Sequence, residues 1–151
     1  MSKKSYNVVL NSTNKISSGA SLSECKFGFD WSVMEDGEYD VHFTFISKVM
    51  NLSTNDVACI NVNLGSQNVF QASANVSAST TNFLGVAKPY LVSTTSYLLS
   101  EDNTNPSISL NGRPHDNHID VRINNNDNIT LFAPTTGSMA DWVLQLQFIQ
   151  K

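Results

Sequence analysis

The densest grouping of side chains able to do chemistry is His115-Asp116-Asn117-His118-Ile119-Asp120. Imidazole nitrogens and carboxylate oxygens at such short spacing are the donors from which a zinc or calcium shell is built. In an extended chain, side chains two positions apart share a face. His118 and Asp120 therefore come together, and Asp116 joins them only if the strand reaches back that far. His115 follows Pro114 in a segment of loop composition, where polar residues are ordinary without any ligand role. Downstream, Asn124-Asn125-Asn126-Asp127-Asn128 is rich in oxygen donors but lacks the glycine and terminal glutamate of an EF-hand loop. Its residues tolerate left-handed backbone, and the run reads as a turn.

The other reactive residue types do not assemble into a site. No Gly-x-Ser-x-Gly turn occurs, and the histidines besides His115 and His118 reduce to His42, an outward imidazole on the polar side of an alternating run. Cys25 and Cys59 stand inside alternating runs, without the exposed electropositive setting of a reactive thiolate. Two cysteines are too few for a disulfide framework and read as buried thiols in a reducing compartment. Glu35 and Asp36 are neighbours in a turn, not an acid and a base facing each other across a substrate. Tyr39, Tyr90 and Tyr97 could make an aromatic platform for sugars or bases, but their period-matched neighbours are apolar and point to core or interface. Asn-x-Ser/Thr triplets at Asn11, Asn51, Asn75 and Asn128 are what chance supplies in a chain with 18 Asn, 20 Ser and 11 Thr. No Gly-rich loop precedes a helix to cradle phosphate. The sequence thus assigns no catalytic residue, no cofactor and no metal, and an enzyme is not expected.

Composition narrows the partners. A length of 151 residues suits one domain, residues 1–151, with its own core. The net charge of −4, with Lys3-Lys4 as the sole basic pair, argues against a nucleic-acid surface, which needs clustered Lys and Arg. The first residues lack the apolar run of a secretory signal, and no stretch approaches the roughly 20 apolar residues of a membrane span. Only 15% of residues are charged. Asn, Ser and Thr, about a third of the chain, fill the shortfall and favour short strands joined by polar turns.

The elements that would position these groups are strands. Trp142, Leu144, Leu146 and Phe148 fall on one side of an extended chain, with Val143, Gln145 and Gln147 on the other. Two rings on one face require that strand to pair centrally in a sheet. Similar alternation predicts strands at Tyr6 to Leu10, at Cys25, Phe27, Phe29 and Trp31, at Tyr39, Val41, Phe43 and Phe45, at Ala58, Ile60, Val62 and Leu64, and at Ile119, Val121 and Ile123. Asp36-Gly37 predicts a hairpin between the second and third of these, and Asn111-Gly112 a turn after Ile108 and Leu110. Tyr90 to Leu99 reads as one extended apolar stretch, and Ile129 to Phe132 as a return to the sheet. From Gln67 to Lys88 the pattern weakens, leaving a short strand near Asn68 to Ala72. No window carries the helical period. The expected fold is all-β, an antiparallel β-sandwich of about eight strands. Its core is expected to take in Phe27, Phe29, Trp31, Tyr39, Val41, Phe43, Phe45, Ile60, Val62, Ile119, Val121, Trp142, Leu144, Leu146 and Phe148.

The opening Ser5-Tyr6-Asn7-Val8-Val9-Leu10-Asn11-Ser12, followed by Lys26-Phe27-Gly28-Phe29-Asp30-Trp31, resembles the start of minor capsid proteins of large icosahedral double-stranded DNA viruses. The close, Ile119-Asp120-Val121-Arg122-Ile123 and then Trp142-Val143-Leu144-Gln145-Leu146-Gln147-Phe148, is similar to how those chains end. The resemblance is one of pattern at both ends and fades from Gln67 to Asn105. It implies a single jelly roll that acts as a cement or vertex component of a virion assembled in the host cytoplasm. Its partners would be the major capsid protein, other minor capsid proteins and, in a vertex, further copies of itself as a homo-oligomer. Contacts are expected from Gln67 to Lys88 and from Asn103 to Asn117, since loops carry recognition on a rigid scaffold. Two rivals are a carbohydrate- or receptor-binding β-sandwich and, more remotely, a metal-assisted hydrolase built on His115, His118 and Asp120. Whatever the role, the last strand belongs to the core, so deleting Asp141 to Lys151 is expected to unfold the whole domain. A truncated chain that still melts cooperatively by circular dichroism would contradict that placement.

Overall fold

Where apolar and polar residues alternate, one face of a strand can be buried while the other stays in water, and that rule organises most of the chain. A computed structural model describes residues 2–53, 56–65, 69–72, 79–102 and 108–151. Its first strands are β1 (Ser5–Asn11), β2 (Ser17–Ser18), β3 (Glu24–Gly28), β4 (Tyr39–Ser47), β5 (Met50–Asn51) and β6 (Ala58–Val62). They are followed by β7 (Val69–Gln71), β8 (Ser79–Thr81), β9 (Phe83–Ser93), β10 (Ser96–Asp102), β11 (Ile108–Leu110), β12 (His118–Asn124) and β13 (Trp142–Gln150). Short 3-10 turns occupy Ser12–Asn14 and Trp31–Val33, and the described residues contain no α-helix, so none long and apolar enough to cross a membrane.

The named strands pair antiparallel throughout. Hydrogen bonding runs in the order β1-β13-β4-β10-β9-β6-β12-β3-β2, with β11 joined to β4, β5 joined to β10, and β7 paired with β8 apart. Continuity depends on β9, whose residues 83–87 pair with β6 and residues 88–93 with β10. One strand serving two limbs makes the sheet curl, and its concave side receives the apolar faces of both.

In β13, Trp142, Leu144, Leu146 and Phe148 are at most 1% exposed. The strand lies between β1, in register from Ser5↔Ile149 to Asn11↔Val143, and β4, from Trp142↔Ser47 to Gln150↔Tyr39. Burying each such side chain contributes about 1.5–3 kcal/mol. Aromatic contacts cross the interior: the Trp142 ring meets Phe27 of the opposite limb edge-on at 5.9 Å and Phe45 at 5.8 Å, while Trp31 meets Phe148 at 5.4 Å. The Trp142 Nε1–H donates to the Leu22 carbonyl at 2.8 Å, so the indole is satisfied as well as buried. Of the fifteen expected core residues, all but Phe29 are fully buried, and Phe29 is packed against the core from its edge.

Several local expectations give way. The strand predicted from Cys25 to Trp31 stops at Gly28, because the Asp30 carboxylate accepts the Ser32 N–H at 2.9 Å and bends the chain into a 3-10 turn. Asp36-Gly37 does not close a hairpin: β3 pairs with β12 and β2, whereas β4 pairs with β13, β10 and β11, so the turn carries the chain between limbs. Tyr90 to Leu99 is not one extended stretch but a hairpin, reversed at Thr94-Thr95 between β9 and β10. Ile129 to Phe132 forms no strand. Only Leu131 bridges back to Asn124, and Ile129 is 71% exposed. The short strand near Asn68 to Ala72 is β7, with Asn68 itself outside the described residues.

Packing between limbs is close at Gly85 in β9. A Cβ there would lie 2.6 Å from Phe43 Cε1 and 2.8 Å from its Cζ, and Phe43 is buried in the core with nowhere to retreat. Gly85→Ala is expected to destabilise the fold by about 1–3 kcal/mol through overpacking. Urea melts should show this as a lowered midpoint, partly restored when Phe43→Leu is added. An unchanged midpoint would contradict the contact.

Candidate functional site

The inward alternation of one limb dictates what it presents to solvent. In β12, Ile119, Val121 and Ile123 are buried, which turns Asp120 and Arg122 outward; in β3, Cys25 and Phe27 are buried, which turns out Glu24 and Lys26. Register then sets these groups beside one another: Asp120 opposite Lys26, and Arg122 between Glu24 on β3 and Asn61 on β6. Over this face opens a cleft of about 680 Å³, with Ser17, Ser18 and Gly19 towards the β2 edge and Asn63 and Asn82 towards β9. Cys25 and Val121 also border it, but their side chains lie in the core, so every side chain facing the cleft is polar or charged.

Its floor is a network of amides. Asn61 Nδ2 donates to Asn128 Oδ1 at 2.7 Å and to the Cys59 carbonyl at 3.2 Å. Asn124 Nδ2 donates to the Asn128 carbonyl at 3.1 Å, and Asn128 Nδ2 donates to Gln71 Oε1 at 3.0 Å. Arg122 Nε donates to Asn124 Oδ1 at 3.0 Å while its Nη1 lies 3.5 Å from Glu24 Oε1, so the guanidinium is held in one orientation. Asn61 and Asn124 are only 7% and 4% exposed, and amides this buried are tolerable because they are hydrogen-bonded.

The turn over the network has its own lock. Asn128 adopts φ 55°, the left-handed region that Asn tolerates better than most residues. Asp127 Oδ1 accepts the N–H groups of Ile129 at 2.9 Å and Thr130 at 3.0 Å, and its Oδ2 accepts the Thr130 hydroxyl at 2.8 Å. Those backbone N–H donors, with the hydroxyl, hold the Asp127 carboxyl below its ordinary value.

Of the metal-capable residues, the structure brings two together. His118 Nε2 lies 3.2 Å from Asp120 Oδ2, but β12 begins at His118, so Asp116 does not share their face, and His115 and Asp116 are exposed in the preceding loop. Among the described residues no three His, Cys, Asp or Glu side chains converge as a metal site would require. Cys25 and Cys59 are free and buried, and loss of hydration pushes both thiols above their ordinary value, away from reactivity. His42 lies opposite Gln147 on β13, and Glu35 forms an ion pair with Lys4, apart from the cleft. Tyr39 and Tyr97 are core residues, whereas Tyr90 is exposed.

Among the Asn-x-Ser/Thr triplets, Asn128 is committed to the network, Asn51 donates to the Thr136 hydroxyl at 2.9 Å, and Asn75 lies outside the described residues. Of the two expected contact segments, residues 67–68, 73–78 and 103–107 lie outside the described residues, and much of the remainder is strand: β7, β8, the start of β9, and β11.

Sequence reasoning found Asp120 and the turn at Asn124 to Asn128 but not the cleft. Alternation did mark Asp120 and Arg122 as outward; what it lacked was the pairing that sets Asn61 and Glu24 on either side of Arg122. No protein-family model matches the chain, and no curated protein matches it.

The Asp127 lock has a defined pH dependence. A carboxyl lowered on folding stabilises above its unfolded value, near 3.8, and that contribution is lost as pH falls through the lower folded value. The Ile129 and Thr130 amide resonances are therefore expected to titrate with a midpoint below 3.8, and Asp127→Ala to abolish the titration. A midpoint above the ordinary carboxylate value would refute the lock.

Proposed function

We propose that the chain is a structural virion protein, a minor capsid component that stabilises an icosahedral shell by protein–protein contact. The observation that carries this reading is the tip of the β9–β10 hairpin. Tyr90, Leu91 and Val92 follow one another there with 63%, 64% and 55% of their surface exposed. Three consecutive large apolar residues left in water are a liability in a free protein and an asset at an interface, where their burial against a neighbour contributes to association. Val49, also exposed, adjoins β5, which pairs with Ser96 and Tyr97 of β10 next to the turn of the same hairpin.

Other features support the reading. The two stretches that resemble minor capsid proteins at the ends of the chain include β1 and β13, which pair with each other. The curled antiparallel sheet with a single apolar interior is compatible with a jelly roll, in which tips and edges are what neighbouring subunits meet. Low charge suits burial in an interface, whose core is depleted of Lys, Glu and Asp. The partners in this reading are the major capsid protein and other minor capsid proteins, within a virion assembled in the host cytoplasm.

Mass spectrometry of purified particles should find the chain in fixed proportion to the major capsid protein, with cross-links from the hairpin. Leu91→Asp, on an already exposed position, should leave the melting temperature unchanged and reduce incorporation at least tenfold. Absence of the wild-type chain from particles would refute the role.

A further inference from the structure

We propose that the polar cleft over β3, β12 and β6 binds a neutral saccharide, a function separate from the shell contact and not dependent on it. The volume of about 680 Å³ falls in the range of roughly 300–1,000 Å³ occupied by small-molecule sites. Its chemistry selects the ligand. No aromatic side chain lines it, so a base finds no ring to stack on. Its charges are balanced in register, Lys26 with Asp120 and Arg122 with Glu24. An anion approaching Arg122 meets the Glu24 carboxylate 3.5 Å from the same guanidinium, and a cation approaching Asp120 meets the His118 imidazole 3.2 Å from that carboxylate, with Lys26 at the opposite register position.

What this surface offers is alternation of donors and acceptors. Guanidinium and ammonium groups donate, carboxylates accept, and cross-strand neighbours sit about 5 Å apart. A hydroxyl is the group that donates and accepts at once, so a ring bearing several hydroxyls can satisfy both kinds without carrying charge. A peptide strand cannot add to β12 or β6, whose described partners already flank both on either side, and β2 at the rim offers an edge of two residues, Ser17–Ser18. The site is also prepared in advance. Asn124 holds Arg122, and Asn128 holds Asn124 and Asn61, so little ordering remains to oppose binding.

The test is a nuclear magnetic resonance titration with the methyl glycosides of glucose, galactose, mannose and N-acetylglucosamine, beside an array of neutral, sialylated and sulfated glycans. Saturable shifts at the amides of Lys26, Asp120 and Arg122 with at least one neutral sugar support the proposal. Arg122→Lys, which keeps the charge but loses the planar fork, and Asp120→Ala, at a half-exposed position, should each weaken that binding at least tenfold at a temperature where the amide spectrum shows the chain still folded. No saturable shift across the panel, binding confined to sialylated or sulfated glycans, or shifts that survive both substitutions would each overturn it. Neither residue lies on the β9–β10 hairpin, so loss of sugar binding and loss of incorporation into particles can be told apart.

Discussion

Trp142 ties the two limbs of the sheet together, and most of the fold depends on how it is held. Its ring lies against Phe27 on one limb and Phe45 on the other, and its indole N–H donates to the Leu22 carbonyl. Its backbone N–H donates to the Ser12 hydroxyl, which donates in turn to Asp141. Ser12 is fully buried, so this small polar group is spent on fixing where β13 begins. With that start fixed, the register of β13 against β1 and β4 follows. A slip of one residue would turn Trp142, Leu144, Leu146 and Phe148 to solvent and Val143, Gln145 and Gln147 to the core.

The outer surface is a consequence of the inner one. Because Ile119, Val121 and Ile123 must face the interior, Asp120 and Arg122 have no choice but to face out, and pairing with β3 and β6 brings Glu24, Lys26 and Asn61 beside them. The polar cleft therefore rests on strands paired on both sides, where side chains are held by the backbone beneath them. The β9–β10 hairpin is the contrast. Past Ala87, the last residue of β9 paired with β6, the strand keeps β10 as its partner and carries its apolar residues outward. A polar face on strands paired on both sides and an exposed apolar hairpin tip are suited to different partners.

Much of this is legible in the amino-acid sequence. Period-two alternation located β1, β4, β6, β12 and β13 and nearly all of the large core residues, because a half-buried strand must place every second side chain in the core. It failed where a local polar contact overrode the period. Phe29 and Trp31 continue the alternation of β3, yet Asp30 caps a 3-10 turn, and Trp31 reaches the core from that turn and not from a strand. Thr94-Thr95 reverses the chain without the Gly or Asn that usually announces a hairpin. Asp36-Gly37 announced one and instead crosses between limbs, since a turn signal says that the chain bends and not which strand it will meet.

Taken alone, the sequence determined the all-β class, the inward set of residues, the last strand as core and the polar composition of the surface. These follow from local period and side-chain chemistry, which act over a few residues. Tertiary structure decided that β9 serves both limbs, that Arg122 stands between Glu24 and Asn61, and that Asn128 closes over Asn61 and Asn124. Those are choices among long-range pairings. Many strands share the same alternation, and only packing around the Trp142 interior distinguishes one partner from another.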